Sequence, residues 1–330
     1  MTIDANRLET CRLEDGGVAL SLLNYGAITH GWWVRQGSAN IPVVLGYRDP
    51  TLYLSDEAYI GAIVGRIANR TGGGKLVVDG QSFQLTQNEG INHLHGGRNG
   101  LNRKLWAMEK DSANRAVRLS VVSPDGDEGY PGEARISVTV TLQGNTVTYD
   151  MQAMVDRPTP INLAQHNYYN LMGQGTIWPH VLTSPADRMT PTEKDGIPTG
   201  RLGLVRGSCL DFTEEITFGV TDPGHKGIDV NLVLPDLHDP IEPIAEVRAH
   251  NGLQLRVWSD QPGFQLYTGA ALQGSTGAHG DQTIKPFAGF CLEPQGYPNA
   301  VNTPAFPSIM VTPEMPYRQT TRVEIMEVPV

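Results

Sequence analysis

The chain of 330 residues carries a formal net charge of -10 at pH 7, with 39% hydrophobic residues, 37 glycines and 23 prolines. This acidic balance disfavours binding to nucleic-acid phosphates, and no apolar run approaches the roughly 18 residues that a membrane span needs. Three widely spaced cysteines and an N-terminus without a basic stretch followed by an apolar one predict a cytoplasmic protein rather than a secreted disulfide framework.

Apolar and polar residues alternate along much of the chain, which is the pattern of half-buried β-strands. Three pairs of alternating runs flank short turn sequences and predict hairpins at 76–85, 136–155 and 247–257. Further strand-like runs lie at 18–23, 32–34, 117–122, 263–267, 290–292 and 322–328. Sheets therefore dominate the predicted fold, with short helices expected near 55–68 and in the loops.

No low-complexity linker separates these runs. Length alone favours about two domains, although all-β sandwiches often exceed that size as one unit. The Pro/Gly-rich stretches at 123–132 and 185–203 are long enough to be functional loops. We therefore expect one all-β domain of antiparallel strands in packed sheets over residues 1–330.

Glu293 stands where an apolar strand-like run changes into a Pro/Gly loop. Pro294 biases Glu293 toward an extended backbone, and a carboxylate at a strand end is held rigidly while open to a cleft. It is a candidate catalytic residue. Acidic residues also end strands for solubility alone, so the neighbouring polar motifs decide between the two interpretations.

His93 and His95 form the first such motif, followed by Gly96 and Gly97. On an extended segment both histidines would face the same side, and the glycines would let backbone or ligand come close. A metal site is one interpretation, but no carboxylate follows at a suitable spacing. The other is an acid/base or polarising site in which one histidine faces a cleft. A hydrogen-bonded structural role stays open for His93.

The second motif is the segment 165–171. If it is a strand, His166, Tyr168 and Asn170 share one face. A polar face on an alternating scaffold usually lines a site, and a solvent-facing strand is the alternative.

Six short motifs follow one another along the chain: Gly65-Arg66-Ile67-Ala68-Asn69-Arg70, Leu94-His95-Gly96-Gly97, His166-Asn167-Tyr168-Tyr169-Asn170-Leu171, Gly227-Ile228-Asp229, Pro262-Gly263-Phe264-Gln265-Leu266-Tyr267-Thr268-Gly269 and Leu292-Glu293-Pro294-Gln295. In this order they resemble the aldose 1-epimerase family, also called galactose mutarotases, from about residue 20 to residue 328. The segment 125–132 is similar to a family loop. The resemblance implies a large antiparallel β-sandwich of the galactose mutarotase type, with a cleft across one sheet.

The resemblance also implies roles for individual residues. Glu293 corresponds to the catalytic base and His166 to the general acid, and His95 would assist at the sugar's ring oxygen or at an adjacent hydroxyl. The residues that would hold sugar hydroxyls are Asn69, Arg70, Asp229 and Gln265. Apart from the resemblance, an aromatic side chain such as Tyr168 is suited to pack against the C–H face of a sugar. The family often has Asn where this chain has Gln165, and an Asp-His pair where it has Asp229-Val230.

The implied reaction interconverts the α and β anomers of a free aldose. Ring opening removes a proton from the C1 hydroxyl and delivers one to the ring oxygen, and each positioned proton transfer contributes roughly 10²- to 10⁴-fold. We expect no metal and no organic cofactor. The alternatives are a lyase, hydrolase or sugar-phosphate epimerase on the same fold, or a non-catalytic sugar-binding module. A glycosidase normally needs two carboxylates, whereas the motifs supply one glutamate with histidines.

The sequence leaves several properties open. They are the preferred aldose, the oligomeric state, the pathway, and the roles of His93 and Arg66.

Overall fold

The structure, a computed structural model, describes residues 3–328 and consists mainly of β-strands. In chain order the first strands are β1 (Thr10–Asp15), β2 (Val18–Leu23), β3 (Ile28–Gln36), β4 (Ala39–Pro42), β5 (Ile63–Val64), β6 (Arg70–Thr71), β7 (Lys75–Val78), β8 (Gln81–Gln84), β9 (His93–Leu94), β10 (Ala107–Asp111), β11 (Ala116–Ser123), β12 (Ala134–Gln143) and β13 (Thr146–Val155). They are followed by β14 (Thr159–Pro160), β15 (Ala164–Gln165), β16 (Val181–Thr183), β17 (Arg188–Met189), β18 (Gly203–Leu204), β19 (Ile216–Thr217), β20 (Asp229–Val233), β21 (Ala245–Arg248), β22 (Leu253–Ser259), β23 (Gly263–Tyr267), β24 (Cys291–Gln295), β25 (Met310–Val311) and β26 (Tyr317–Glu327).

Three sheets contain most of these strands. A nine-stranded sheet has the order β10-β11-β12-β13-β26-β22-β21-β16-β19, a five-stranded sheet the order β18-β17-β20-β23-β24, and a four-stranded sheet the order β1-β2-β3-β4. Strand pairs in the two larger sheets run antiparallel. The prediction of an all-β fold with large antiparallel sheets is therefore confirmed.

The three predicted hairpins are also confirmed, as the pairs β7–β8, β12–β13 and β21–β22. In β12 the apolar residues Ile136, Val138, Val140 and Leu142 are buried, while the residues between them are partly or fully exposed. This alternation is what a sheet with one face on a core requires.

A shared core joins the sheets. One continuous cluster of buried apolar side chains draws Leu20 from β2, Val138 from β12, Phe264 from β23 and Ile325 from β26. Each such side chain stabilises the fold by roughly 1.5–3 kcal/mol relative to its exposed state. The packing holds the five-stranded sheet rigidly, which matters because one face of that sheet carries the polar residues described below.

Helices are few and short. The described residues contain one α-helical turn, α1 (Phe218–Thr221), and 3₁₀ helices at Ala5–Arg7, Pro50–Ser55, Gly72–Gly74, Leu101–Arg103, Asp127–Gly129 and Ala300–Asn302. None of them has the length and apolar character that crossing a bilayer would require.

The expectation of short helices near 55–68 is wrong. A 3₁₀ helix ends at Ser55, and the chain then turns through Tyr59 and Gly61, which both have positive φ. The Asp56 carboxylate accepts a hydrogen bond from the backbone N–H of Ile60 at 3.0 Å. This local bond satisfies the turn, and β5 follows directly at Ile63.

Candidate active site

Glu293 lies in the middle of β24, directly across from Gln265 of β23. Only 2% of Glu293 is exposed, and its Oε2 atom has no hydrogen-bond partner within the described residues. Burial, with a smaller contribution from the nearby Asp229 carboxylate, raises the pKa of Glu293 well above its ordinary value. A buried carboxylate of this kind binds a proton more tightly than one in water, as a catalytic base requires.

His166 faces Glu293 from a different part of the chain. Its backbone is held in an extended path by hydrogen bonds to Ala62 and Gly61. The Nε2 atom lies 3.7 Å from Oε1 of Glu293, and Nδ1 lies 3.6 Å from Sγ of Cys291. Burial lowers the pKa of His166 to about 4. The imidazole and the carboxyl therefore form a buried pair whose Nε2 and Oε1 atoms face one another.

His95 presents a ring of fixed tautomer to the same cleft. The backbone N–H of Asn69 donates to Nδ1 of His95 at 3.1 Å, and the backbone N–H of His95 donates to the carbonyl of Asn69. Because Nδ1 accepts, the neutral ring carries its proton on Nε2. Burial, followed by the neighbouring His166 and Arg70, holds the pKa of His95 well below its ordinary value. His95 is thus a neutral hydrogen-bond donor.

His93 and His95 do not face the same side, contrary to the expectation for an extended segment. The strand ends at Leu94, and His95 adopts a left-handed backbone with φ of 51°. His93 points away from the cleft, where Nδ1 lies 2.6 Å from the Thr86 carbonyl oxygen and Nε2 lies 2.5 Å from the Tyr130 hydroxyl. His93 is therefore the structural member of the pair.

Arg66 is also structural. Only 1% of it is exposed, and its guanidinium donates to four backbone carbonyls of the loop 123–132, those of Ser123, Pro124, Pro131 and Gly132. The same loop holds the segment after His95, since the Glu128 carboxylate accepts from the backbone N–H groups of Arg98 and Asn99. The loop 123–132, which was predicted to be functional, thus stabilises the segment that follows His95.

Gly96 explains the glycines that follow His95. It has φ of 88°, and a Cβ atom built on it would overlap the carbonyl oxygen of Gly65. The backbone of Gly65 leaves no room for a side chain at Gly96, so any larger residue would displace the turn that carries His95.

The polar side chains beyond the acid/base pair form a connected network. Arg70 forms a bidentate pair with Glu89, at 2.7 and 2.8 Å, and a longer contact of 3.4 Å with Asp229. The amide of Gln265 donates to Asp229 at 2.5 Å. Sequence reasoning missed Glu89, because an acidic residue in the turn segment Asn88-Glu89-Gly90 is too common to mark a site by itself.

The structure separates Tyr168 from Asn170, which were expected on one face. The ring of Tyr168 lies 5.1 Å from that of His166, measured between centroids, and its hydroxyl donates to the Ala58 carbonyl. The side-chain amide of Asn170 instead donates a hydrogen bond to the Ala288 carbonyl at 2.8 Å. The segment is extended but not a continuous strand, so simple alternation does not apply to it.

Eight of the candidate site residues line one cleft of about 710 Å³: Asn69, Arg70, His95, His166, Tyr168, Asp229, Gln265 and Glu293. A second cavity of about 540 Å³, here called the side lobe, extends over Thr190 and Asn231. It shares five residues with the cleft: Asn69, Arg70, Glu89, Asp229 and Gln265. The loop predicted at 185–203 contributes to the side lobe through residues 190–196.

Comparison with known proteins identifies the family of this chain. The family model described as aldose 1-epimerase matches residues 9–324. The chain is 37% identical to the galactose mutarotase of Rattus norvegicus over 95% of this chain and 93% of that protein, and 31% identical to the aldose 1-epimerase of Escherichia coli K12 over 91% and 89%. The chain belongs to the aldose 1-epimerase family. As a member it is an isomerase that acts on sugars.

Solved structures agree with the family fold. An aldose epimerase homologue from C. elegans superposes with a TM-score of 0.92 at 26% identity, covering 98% of this chain and 100% of that one. Galactose 1-epimerase from Lactobacillus acidophilus superposes with a TM-score of 0.83 at 25% identity, over 98% and 99%. The implied β-sandwich of the galactose mutarotase type is therefore confirmed.

The two departures from the aldose 1-epimerase pattern do not line the cleft. Gln165 is buried behind it and bonds to the side chain of Asn167 and the carbonyl of Gly61. Val230 points to the opposite face of β20 from Asp229, because neighbouring strand residues alternate, and it joins the apolar core. Neither departure removes a cleft-lining polar group.

A metal site at His93 and His95 is one of the two interpretations that the sequence leaves open. Within residues 3–328 one group of three metal-ligating side chains gathers, formed by His166, Cys291 and Glu293. It contains neither His93 nor His95, so the histidine pair is not part of a ligand set there. Burial raises the pKa of the Cys291 thiol well above its ordinary value, which opposes the thiolate form that metals prefer.

Proposed function

We propose that this aldose 1-epimerase opens and closes an aldopyranose ring with Glu293 as base and His166 as acid. The observation that carries the proposal is the buried carboxyl–imidazole pair, with 3.7 Å between Oε1 of Glu293 and Nε2 of His166, at the floor of the cleft. A hemiacetal placed there has its C1 hydroxyl and its ring oxygen within reach of different partners. Glu293 takes the proton of the C1 hydroxyl, and His166 gives a proton to the ring oxygen.

The proton count of the pair stays at one throughout. Burial favours the uncharged pair, with the proton on Glu293 and His166 neutral. Ring opening starts from the ion-paired form, in which the proton is on His166 and Glu293 is ionised, and it returns the pair to the uncharged form. Burial disfavours the separated charges, whereas their closeness favours them, so both forms stay accessible. After rotation about the C1–C2 bond, ring closure on the other face returns each proton. No net charge enters or leaves the site.

Cys291 supports this exchange. When His166 gives up the proton of Nε2, its remaining proton is on Nδ1, where Sγ of Cys291 at 3.6 Å is the acceptor. This contact keeps Nε2 as the atom that exchanges the proton. His95, with Nε2–H fixed by Asn69, donates to the ring oxygen or to an adjacent hydroxyl as charge develops there.

The non-reacting hydroxyls are held by Asn69, Arg70, Asp229 and Gln265, with Tyr168 against the C–H face of the sugar. Arg70 is already paired with Glu89 and Asp229, so this end of the cleft has one more negative charge than positive. That balance favours a neutral sugar over a phosphorylated one. The relatives named galactose mutarotase support galactose as a substrate. The three unpaired cysteines, Cys11, Cys209 and Cys291, support a cytoplasmic location.

Polarimetry tests the proposal. Freshly dissolved α-D-galactose or α-D-glucose should lose optical rotation faster with the protein than without it, at an unchanged endpoint. D-xylose and L-arabinose extend the panel. If the protein accelerates none of the four sugars, the proposed function is wrong.

A further inference from the structure

The aromatic residue Tyr59 lines the cleft beside the two histidines of the site. The centroid of its ring is 4.7 Å from that of His95 and 5.8 Å from that of His166, and the two histidine rings are 5.3 Å apart. These separations are those of packed aromatic pairs, so the three rings form one cluster. The proton transfers of ring opening use the two imidazoles of this cluster and no group of Tyr59.

A strained turn fixes Tyr59 relative to His166. The backbone of Tyr59 is left-handed, with φ of 58°, a region that bulky residues seldom adopt. The Tyr59 carbonyl accepts from the N–H of Ala62 at 3.0 Å, and the Ala62 carbonyl accepts from the N–H of His166 at 2.8 Å. Residues held in sparsely populated conformations cluster at functional sites. The turn therefore points to a role for the ring that it carries.

Two tyrosine rings are stacked loosely on the imidazole of His166. The plane of Tyr59 is inclined to that of His166 by 32°, and the plane of Tyr168 by 41° at a centroid distance of 5.1 Å. The hydroxyl of Tyr168 donates to the carbonyl of Ala58, the residue before Tyr59, at 2.9 Å. One turn thus holds both rings. A cation within about 6 Å of an aromatic centroid is attracted by the electron-rich face of the ring.

Ring opening needs a cation at His166, because it starts from the ion-paired form of the Glu293–His166 pair. Burial opposes this form and lowers the pKa of His166 to about 4. The two ring nitrogens lie near Oε1 of Glu293, at 3.7 Å, and Sγ of Cys291, at 3.6 Å. His95 stays neutral beside them. An aromatic face adds attraction for the imidazolium without supplying or taking a proton.

We propose that Tyr59 is a positioning residue of the epimerase reaction, whose ring stabilises the protonated imidazole of His166 from which ring opening starts. The inference rests on the proposed function, because it needs His166 as the acid. Tyr59 transfers no proton, so the reaction requires its ring and not its hydroxyl. The effect falls on kcat rather than on KM, since the sugar hydroxyls are held by other residues.

Two substitutions separate the ring of Tyr59 from its hydroxyl. Tyr59→Phe keeps the ring, and kcat for the mutarotation of galactose should stay within about threefold of wild type. Tyr59→Leu removes it and should lower kcat about tenfold to thirtyfold, the size of a desolvated cation–π contact, with KM within about threefold. Equal losses of kcat in the two variants would overturn the proposal.

Fluorinated phenylalanines at position 59 separate electrostatics from shape. Phenylalanines with none, one, two and three fluorine atoms, introduced into the full chain by nonsense suppression, withdraw electrons from the ring face in steps at nearly constant size. With each fluorine kcat should fall, whereas a ring that only fills space gives one value throughout. This series decides the question even if Tyr59→Leu fails to fold.

The same series at Tyr47 is the matched control. Tyr47 also lines the cleft, but its ring packs on Tyr53, at 5.0 Å between centroids. There kcat should not change with fluorination. An active enzyme with a flat series at position 59, or with equal slopes at both positions, overturns the role of Tyr59 alone. Full activity of His166→Asn, or a protein that mutarotates no aldose, overturns the proposed function and this inference together.

Discussion

Replacing Glu293 by Gln separates its role in catalysis from its role in stability. The change keeps the size of the side chain and removes the titratable group. If Glu293 is the base, the rate should fall by the contribution of one positioned proton transfer, roughly 10²- to 10⁴-fold, which corresponds to about 3–5 kcal/mol of transition-state stabilisation. The effect should appear mainly in kcat, because sugar hydroxyls are held by other residues.

The stability of the variant should move in the opposite direction. Glu293 is 2% exposed, has an unpartnered Oε2 atom, and has a pKa raised well above its ordinary value by burial. A raised folded-state pKa means that the stability contribution of the protonated group is present below the unfolded-state value and is lost as the pH rises through the folded-state value. Each unit of the shift is worth about 1.4 kcal/mol. Glutamine does not titrate, so the free energy of unfolding of Glu293→Gln lacks this decrease with rising pH.

Two measurements on the same protein check this reasoning. Polarimetry gives kcat and KM, and urea unfolding followed by circular dichroism gives the free energy of unfolding at several pH values from 4 to 9. Relative to the wild type, Glu293→Gln should become more stable with rising pH. Glu314→Gln is the control, since Glu314 is exposed and away from the cleft. Activity within tenfold of wild type, or a stability difference that does not change with pH, would refute the assignment.

Four further predictions test the rest of the site and the fold. The value of kcat/KM, corrected for the spontaneous reaction, should fall below about pH 4. Burial lowers the pKa of His166 to about 4, and binding of a second proton leaves the Glu293–His166 pair without a base. A loss of activity centred near pH 6.5 would contradict this. Gly96→Ala should destabilise the protein by roughly 1–3 kcal/mol more than Gly144→Ala in urea unfolding, since only the first Cβ atom meets backbone; equal losses would show that Gly96 is not constrained. Prolonged treatment with a chelator should leave the mutarotation rate unchanged, and a loss restored by added metal would revive a metal site. Unfolding followed by circular dichroism and by tryptophan fluorescence should give one coincident transition, as a single domain with a shared core requires, whereas two separate midpoints would indicate two domains.

The sequence predicts the strands of this protein well, because one-sided burial leaves a period of two in the order of residues. The runs at 18–23 and 263–267 coincide with β2 and β23, and the hairpin at 136–155 is placed within two residues. The segment 55–68 fails because it is ordered by a side-chain-to-backbone bond from Asp56 and by positive-φ residues, neither of which produces a periodic pattern.

The site is predicted unevenly for a similar reason. Short motifs predict His95, His166 and Glu293 as site residues, and the structure places all three in one cleft. The opposite orientations of His93 and His95, however, depend on the backbone angle φ of His95 alone. Glu89 was missed because its meaning comes from a partner, Arg70, on another segment. Residues whose role depends on a distant partner have no local signature.

Asn231 and Thr190 are the residues of the side lobe that the sequence predicts least well. Nothing in the segments around them distinguishes their side chains from ordinary strand polar residues, and only the register of β20 against β23 places Asn231 beside Gln265. A shift of that register by one residue would turn Asn231 into the core and Val230 toward the side lobe. The antiparallel register therefore extends the polar surface from Glu293 across the sheet, and the extent of that surface is a property of strand pairing and not of any one segment.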